Sequence, residues 1–351
     1  MAARRYGLRD ARVIPLRQAG LKQVFRVSSR TGGEFALRMY ELPRHEGGAD
    51  ARFGIGAGLR SPRTLRSQLL WLSALRRDAG LPVPEPVAAP DGSLTAYVSF
   101  RDLPWHRRFL RGVSRRHREM YGPDHHGRSC TLLRWVPGRQ KSNDLGPDDL
   151  ALAGAFFARL HDHAAGYPVP RDAPLPRWDW NWPFGESAPV WHRGRDFYSP
   201  GEMEVFEAAA RRVREDLETL GEGKDAFGPI HRDLKLANLV FHSGEVGAID
   251  FDLCGLGHYL LDLSVMLISL NTRHGDRYDS LRSAFLEAYD AERPLPADHD
   301  RYLRTFAAMM AVSSTNRTLE LLYSDPPRRA DRGPRYLRRR VNRIESLLED
   351  G

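Results

Sequence analysis

The sequence predicts an α+β fold in which a small β-rich part is followed by a larger, mainly helical part. Runs with the β-branched and aromatic residues typical of strands come first, as in "ARVIPL", "QVFRV" and "EFALRMY". Stretches with apolar residues at three- and four-residue spacing come later, as in "GPDDLALAGAFFARLHDHAAG" and "GEMEVFEAAARRVREDLETL". A charged β-hairpin, "IHRDLKLANLVFHSGEVGAIDFD", interrupts the helical part at residues 230–252.

The bulk composition predicts a cytoplasmic protein. A chain of 351 residues is long enough for one large or two modest domains, each with its own core. Its two cysteines, Cys130 and Cys254, have no paired spacing, which fits a reducing compartment. The first residues lack the apolar core of a signal peptide, and no run of about eighteen apolar residues occurs. We therefore expect no membrane association.

The chain is basic, with 53 Lys and Arg against 45 Asp and Glu, and only four of the basic residues are lysines. A basic surface can attract nucleic acid, acidic membranes or phosphorylated ligands. Because no nucleic-acid-binding motif accompanies the charge, we interpret it as an arginine-rich composition and expect no nucleic-acid partner.

In the N-terminal part, a strand and a helix each carry a polar residue that needs a partner. In an extended "FALRMY", Ala36 and Arg38 point to the same face. The stretch "SPRTLRSQLLWLSALRRDAG" is predicted to be a helix with an apolar stripe that includes Leu65, Leu72 and Gln68. A buried amide requires a hydrogen-bond partner, and Arg38 is the candidate for Gln68.

A proline-rich link, "GLPVPEPV", leads to two further predicted strands, "SLTAYVSF" and "SCTLLRWVPGR". Between them lies a basic, histidine-rich insertion at residues 101–129. Its histidines, together with Cys130, match no zinc spacing. We interpret the segment as a solvated insertion and keep a ligand-contacting element as the alternative.

The hairpin brings oxygen ligands to one end. Its runs "NLVF" and "VGAIDFD" flank a turn near Gly244, so Asn238 and Asp250 are predicted to be near cross-strand partners with Cβ atoms roughly 5 Å apart. An amide and a carboxylate oxygen at this distance suit Mg2+. Asp233, in the loop before the hairpin, is predicted to face the same end, where a carboxylate accepts the proton of an attacking hydroxyl.

The pattern His-x-Asp-x4-Asn in "HRDLKLAN", followed by "IDFD", resembles the protein-kinase-like superfamily. The order of features is most similar to that of the aminoglycoside phosphotransferase, homoserine kinase type II and choline kinase group, which includes bacterial stress-response protein kinases. The resemblance implies a bilobal protein-kinase-like fold. Its implied parts are a nucleotide-binding lobe at 1–133, a hinge for adenine at 134–140, and a catalytic and acceptor-binding lobe at 141–351.

The same resemblance implies roles for the residues of the hairpin. Asp233 is the catalytic base, and Lys235 is placed to touch the transferred phosphate. Asn238 and Asp250 hold Mg2+. Asp252, where protein kinases have glycine, is either a second metal ligand or a residue that faces the acceptor.

In the N-terminal lobe the resemblance implies contacts with ATP. Ala36 lies against adenine, and Arg38, where protein kinases have Lys, pairs with the phosphates. Gln68 stands where the superfamily supplies a Glu for that cation. The loop over the phosphates has Gly20 as its single glycine, and this sparse loop favours a small-molecule kinase over a protein kinase.

Three residues are predicted to support the site. Asp262 is the one charge in the apolar stretch "GHYLLDLSVMLISL", and a buried Asp needs hydrogen-bond donors. By resemblance it braces the catalytic loop. We expect His231 to support the loop through hydrogen bonds, and His161 to be packed in the helical core.

The segment "RWDWNWPF" has two interpretations. If the chain is extended, Trp178, Trp180 and Trp182 lie on one side. The three indoles then either cover the core of the helical lobe or clamp an amine-bearing acceptor through cation–π contacts, with Asp252 as a countercharge.

The predicted function is an ATP- and Mg2+-dependent phosphotransferase that moves the γ-phosphate to a hydroxyl of a small-molecule acceptor. The first alternative is a protein Ser/Thr kinase of the bacterial stress-response type, which "HRDLK" favours. The second is a nucleotide-binding pseudokinase, suggested by Gln68 and the sparse glycine loop; intact Asp233, Asn238 and Asp250 argue against it.

Overall fold

The structure is a computed structural model. It describes residues 2–19, 22–30, 33–40, 62–99, 127–141, 144–324 and 334–349. These residues form two compact units, of which the first ends at Pro137 and the second begins at Gly138. The predicted fold class is confirmed, since the first unit is built on a β-sheet and the second is mainly helical.

The N-terminal unit contains an antiparallel sheet whose strands differ in length. Its strands are β1 (Ala11–Ala19), β2 (Lys22–Ser29), β3 (Glu34–Tyr40), β4 (Pro86–Val87), β5 (Ala96–Ser99) and β6 (Gly127–Arg134). The strand order is β1-β2-β3-β6-β4, with β5 also paired to β6. The three predicted N-terminal strands are therefore adjacent, as expected for strands joined by short turns.

The two faces of strand β3 pack against different clusters. Phe35 and Leu37 belong to a core that also includes residues of α1 (Ala2–Arg5). Ala36 lies on the opposite face, against a cluster that contains Leu65 and Leu69 of helix α2 (Pro62–Ala79). The alternation of side chains along a strand thus places Ala36 on the face against which α2 packs.

The C-terminal unit is built from helices. They are α3 (Pro147–Gly166), α4 (Asn181–Phe184), α5 (Pro189–Arg193), α6 (Pro200–Leu220), α7 (Tyr259–His274), α8 (Tyr278–Glu292), α9 (His299–Ser324) and α10 (Pro334–Glu349). Helix α6 begins at a capping box, in which Ser199 and Glu202 satisfy each other's backbone N–H groups. Within the part of the chain that the structure describes, no helix is long and apolar enough to cross a membrane.

Two small antiparallel sheets carry the charged segment. Strand β7 (Phe227–Ile230) pairs with β10 (Gly255–His258), and β8 (Leu239–His242) pairs with β9 (Glu245–Ala248). The predicted hairpin is confirmed: His242 is opposite Glu245, and the turn between them contains Gly244 with φ 77°. A left-handed residue of this kind is typical of tight hairpin turns.

One detail of the hairpin prediction is wrong. The N–H of Ile249 donates to the carbonyl of Asn238 at 2.9 Å, so Asn238 is opposite Ile249 and not Asp250. Asn238 is the last residue of a 3-10 turn, and Asp250 has left the strand with φ 70°. The two residues still lie at the open end of the hairpin, one position out of the predicted register.

Candidate active site

The loop at residues 231–238 carries the predicted base Asp233 and is named the catalytic loop for that prediction. It connects β7 to β8 and contains a left-handed residue, Arg232, with φ 69°. Non-glycine residues adopt this conformation at a cost of about 1–3 kcal/mol, and they persist where the surroundings hold them. Asp250, on the other side of the hairpin end, is left-handed as well. Both sides of this end therefore depend on their neighbours for their backbone conformation.

Asp262, in helix α7, holds the beginning of the catalytic loop. Its carboxylate is completely buried and accepts the backbone N–H of His231 at 2.8 Å and that of Arg232 at 2.6 Å. A buried carboxylate without such donors would cost several kcal/mol. The predicted bracing role of Asp262 is confirmed by these two bonds.

His161, in helix α3, is packed in the helical core as predicted. It is fully buried, with Nδ1 at 3.0 Å from the Tyr289 hydroxyl and Nε2 at 3.4 Å from the Asp262 carboxylate. Its ring also stacks on Tyr259. Burial lowers the pKa of His161, although the neighbouring Asp262 acts in the opposite direction. The imidazole beside Asp262 is therefore neutral near pH 7.

His231 supports the loop through hydrogen bonds, as predicted. Its Nε2 lies 3.0 Å from the carbonyl oxygen of Ile249, and its Nδ1 accepts the backbone N–H of Asp233 at 3.3 Å. These partners require the proton on Nε2. His231 thereby ties the backbone of Asp233 to the end of strand β9.

The carboxylate of Asp233 receives donors from both sides. The ammonium of Lys235 lies 3.0 and 2.8 Å from its two oxygens. The side-chain amide of Asn238 donates to the same carboxylate at 3.0 Å and to the Asp233 carbonyl at 2.7 Å. Asp233 keeps 23% of its side chain exposed, so it is oriented and still accessible from solvent.

The donor set at the hairpin end fits Mg2+. The amide nitrogen of Asn238 is directed at Asp233, so its oxygen is the atom that could bind a cation. Asp250 and Asp252 follow the residue that pairs with Asn238, and each adds a carboxylate. Among the described residues no group of three His, Cys, Asp or Glu side chains could hold a metal ion. Mg2+ is usually held by one or two carboxylates together with water and substrate phosphates, and Asn238, Asp250 and Asp252 are donors of the kind that could hold it.

Two residues predicted to contact the nucleotide, Arg38 and Gln68, are buried within the N-terminal unit. Arg38 lies on β3 in register with Thr131 of β6, and it is buried. Gln68 is buried on α2, in the stripe that sequence spacing predicts. Gly20 lies outside the described residues, and so does the insertion except at 127–129.

The extended conformation predicted for "RWDWNWPF" is wrong. The Asp179 carboxylate accepts the N–H of Asn181 at 3.0 Å, and helix α4 begins there. Asp and Asn favour such local turns because their side chains bond the backbone two residues on. Trp178 and Trp182 come together with ring centroids 5.0 Å apart, and Trp180 donates to the Ala210 carbonyl at 2.8 Å.

The cations on these indoles belong to the protein itself. The guanidinium of Arg232 lies 4.6 Å from the ring centroid of Trp178 and 4.2 Å from that of Trp182. Arg214 lies 3.8 Å from the ring of Trp180. The structure therefore does not show three indoles on one side of a strand that form a clamp for an amine. The covering interpretation fits Trp178, which is buried, while Trp180 and Trp182 are half-buried.

Sequence reasoning missed Arg232. Trp178 precedes helix α4, so no local periodicity in the sequence places it beside Trp182 or Arg232.

The two units and the site define a kinase-like phosphotransferase. A family model, described as the phosphotransferase enzyme family, matches residues 13–303. The chain therefore belongs to this family, and the predicted resemblance is confirmed. A curated relative, homoserine kinase of Neisseria meningitidis serogroup B, is 26% identical over 154 residues. That match covers 43% of this chain and 47% of the relative, so it spans about half of each protein.

Several solved structures share the fold. A microcompartment-associated aminopropanol kinase matches with a TM-score of 0.67 at 22% identity, covering 99% of this chain and 93% of that one. An amicoumacin kinase in complex with AMP-PNP, Ca2+ and Ami matches with a TM-score of 0.70 at 18% identity, covering 95% and 88%. A GDP complex of an aminoglycoside phosphotransferase has a TM-score of 0.57 at 14% identity, covering 97% and 92%. At these identities the likeness establishes the bilobal protein-kinase-like fold.

Proposed function

We propose that this protein is an ATP- and Mg2+-dependent kinase that transfers the γ-phosphate to a hydroxyl group of a small-molecule acceptor. One observation carries the proposal: the Asp233 carboxylate is fixed by Asn238 and Lys235 in a loop whose first two N–H groups are held by Asp262. Positioned carboxylates of this kind accept the proton of the attacking hydroxyl in phosphoryl transfer.

Lys235 has a second role in this proposal. In the free enzyme its ammonium neutralises the carboxylate of Asp233, and 42% of its side chain is exposed. A flexible lysine at this position can follow the negative charge as the phosphoryl group arrives. Lys235 then stabilises the transferred phosphate, which leaves Asp233 free to take the proton.

The metal and nucleotide contacts complete the proposal. Asn238 and Asp250 would hold Mg2+, with Asp252 as a further ligand or as a contact to the acceptor. Bound Mg2+ supplies positive charge that neutralises the phosphates. Arg38, supported by Gln68, would pair with the phosphates.

The nucleotide lobe is proposed to end near residue 133, followed by the hinge. Ala36 and Gly20 would lie along adenine and the phosphates, respectively. The hinge would comprise residues 134–140, and the catalytic and acceptor-binding lobe would be 141–351.

The acceptor is proposed to be a small hydroxyl compound, and an amine-bearing one fits best. Aminopropanol and homoserine, the compounds in the names of two related kinases, carry both a hydroxyl and an amino group. Because Arg232 and Arg214 lie over the indole rings, the tryptophans give no support for an amine. The support comes from these relatives and from the acidic residue Asp252. A carboxylate beside the base would attract an ammonium group.

The test is a screen for acceptor-dependent ADP release by the purified protein. Amino alcohols, hydroxy amino acids and aminoglycosides would be offered with Mg-ATP or Mg-GTP, with Asp233→Ala as the matched control. We expect at least one small molecule to stimulate turnover that the control lacks. Transfer of labelled phosphate to lysate proteins instead would favour the protein kinase alternative. Tight nucleotide binding without any transfer would favour the pseudokinase.

A further inference from the structure

The Trp178–Arg232–Trp182 cluster is a built arrangement next to the predicted base. The indole N–H of Trp178 donates to the carbonyl of Leu253 at 2.9 Å, in the turn that follows Asp250. Strand β10 makes room for this indole, since a Cβ on Gly255 would lie 2.5 Å from its nitrogen. One tryptophan thus contacts both chain segments that meet at the hairpin end.

Arg232 itself is unfavourable for stability in this position. Its side chain is 7% exposed, and its Nε has no hydrogen-bond partner within the described residues. Burial lowers the pKa of Arg232 to about 10, although Asp233 and Asp262 act in the opposite direction. A desolvated charge and an unpaired donor both cost free energy, and its left-handed backbone adds to that cost. Cation–π contacts return only about 0.5–2 kcal/mol each.

Unfavourable groups that persist in a folded protein are concentrated at functional sites. We propose that Arg232, held between Trp178 and Trp182, is a positioning residue for Asp233. Its anchored side chain fixes the left-handed turn between the two N–H groups that Asp262 binds and the carboxylate of the base. Its charge lies beside the base without pairing to it. The proposal rests on the proposed function, because it assigns a role relative to Asp233.

The alternative is that Arg232 only fills space under the loop. The two roles predict opposite changes in stability. A positioning arginine that is costly to bury can be replaced by an isosteric apolar residue with little loss of stability. An arginine that holds the fold together cannot.

The first variant is Arg232→Met, measured with the acceptor found in the screen. We expect kcat to fall about 10- to 100-fold, as for a base displaced by a fraction of an ångström to an ångström. The KM for ATP should change less than about twofold, because Arg232 touches no proposed nucleotide residue. The melting temperature should stay equal or rise. Arg214→Met is the matched control, since it removes the exposed arginine from Trp180 and should leave kcat unchanged.

The second pair of variants tests the indoles. Trp182→Phe keeps an aromatic face for Arg232 and should keep most of the activity, whereas Trp182→Leu should lower kcat in the same direction as Arg232→Met. This pair decides the matter if Arg232→Met does not fold.

Wild-type kcat in Arg232→Met, or equal kcat in the two Trp182 variants, would overturn the positioning role. A lower melting temperature with unchanged kcat would assign Arg232 to structure. Asp233→Ala separates this failure from failure of the proposed function, because an active Asp233→Ala protein would refute the base itself.

Discussion

Two fully buried aspartates of the C-terminal unit are stabilised in opposite ways. Asp216, in helix α6, bonds the guanidinium groups of Arg212 and Arg301 and the hydroxyl of Thr305. Asp262, in helix α7, has no guanidinium partner among the described residues; it accepts two backbone N–H groups of the catalytic loop. Asp216 therefore connects helix to helix, while Asp262 connects a helix to the loop that carries the predicted base.

The two sets of partners indicate that Asp216 mainly stabilises the fold, whereas Asp262 mainly orients the catalytic loop. Ion pairs such as those of Asp216 tolerate small displacements, because charge attraction falls slowly with distance. Backbone N–H donors are fixed by the peptide, so a carboxylate that accepts two of them determines the direction of the chain. We therefore expect changes at Asp262 to reduce catalysis, and changes at Asp216 to reduce stability.

Between the two aspartates, the larger effect on catalysis is expected from Asp262→Asn. The amide nitrogen of the new residue would face one of the two N–H donors, so one bond is replaced by a donor–donor contact. We expect kcat to fall about 100-fold, since small displacements of a base are that costly. The KM for ATP should stay the same. Steady-state kinetics check this, and a kcat within about threefold of wild type would mean that Asp262 does not orient the loop.

The next effect concerns Asp216→Asn. The neutral side chain loses its ion pairs to helix α9, so the melting temperature should fall on the order of 5 °C for a unit of this size. The kcat measured well below that temperature should be unchanged, because among the described residues Asp216 bonds to Arg212, Arg301 and Thr305, which lie in helices α6 and α9 and not in the catalytic loop. Thermal unfolding and kinetics of the same preparation test both statements. A lower kcat at wild-type stability would reverse the comparison.

The smallest effect is a pH dependence of the free energy of unfolding, caused by a histidine beside Asp262. His161, beside Asp262, has a pKa lowered by burial. With a lowered pKa in the folded state, His161 binds a proton more readily in the unfolded chain. The contribution of neutral His161 to stability is therefore complete above the unfolded pKa of about 6.5 and is lost as pH falls below it. His258 contributes in the same direction.

We expect His161→Gln to reduce the loss of unfolding free energy between about pH 7.5 and about pH 5.5 by about 1 kcal/mol, as urea titrations at both pH values would show. An unchanged pH dependence in His161→Gln would mean that another group titrates.

The features of the fold that could be predicted from the sequence depend on local patterns. The hairpin turn at Gly244 follows from turn residues between two β-rich runs, and helix α2 follows from the spacing of Leu65, Gln68 and Leu72. Asp262 could be identified because one charge in an apolar helix must find donors. The family resemblance depended on "HRDLKLAN" and "IDFD", whose spacing is specific.

What could not be predicted depends on contacts between distant segments. The sandwich of Arg232 joins residues about fifty positions apart, and no local pattern carries that information. The Trp segment was misread because alternation outweighed the turn that Asp179 begins. The one-residue error at Asn238 arose because a 3-10 turn shifts the register ahead of the strand. The roles of all the predicted site residues remain predictions: Gly20, Ala36, Arg38, Gln68, Asp233, Lys235, Asn238, Asp250 and Asp252.

The most direct test of the account measures transfer and nucleotide affinity in Asp233→Ala. A positioned base contributes about 10^2 to 10^4 in rate and touches the nucleotide little. We therefore predict that the variant binds Mg-ATP with nearly wild-type affinity in calorimetry, while single-turnover transfer to the acceptor falls by that factor. Transfer at the wild-type rate by a folded Asp233→Ala protein would contradict the central claim.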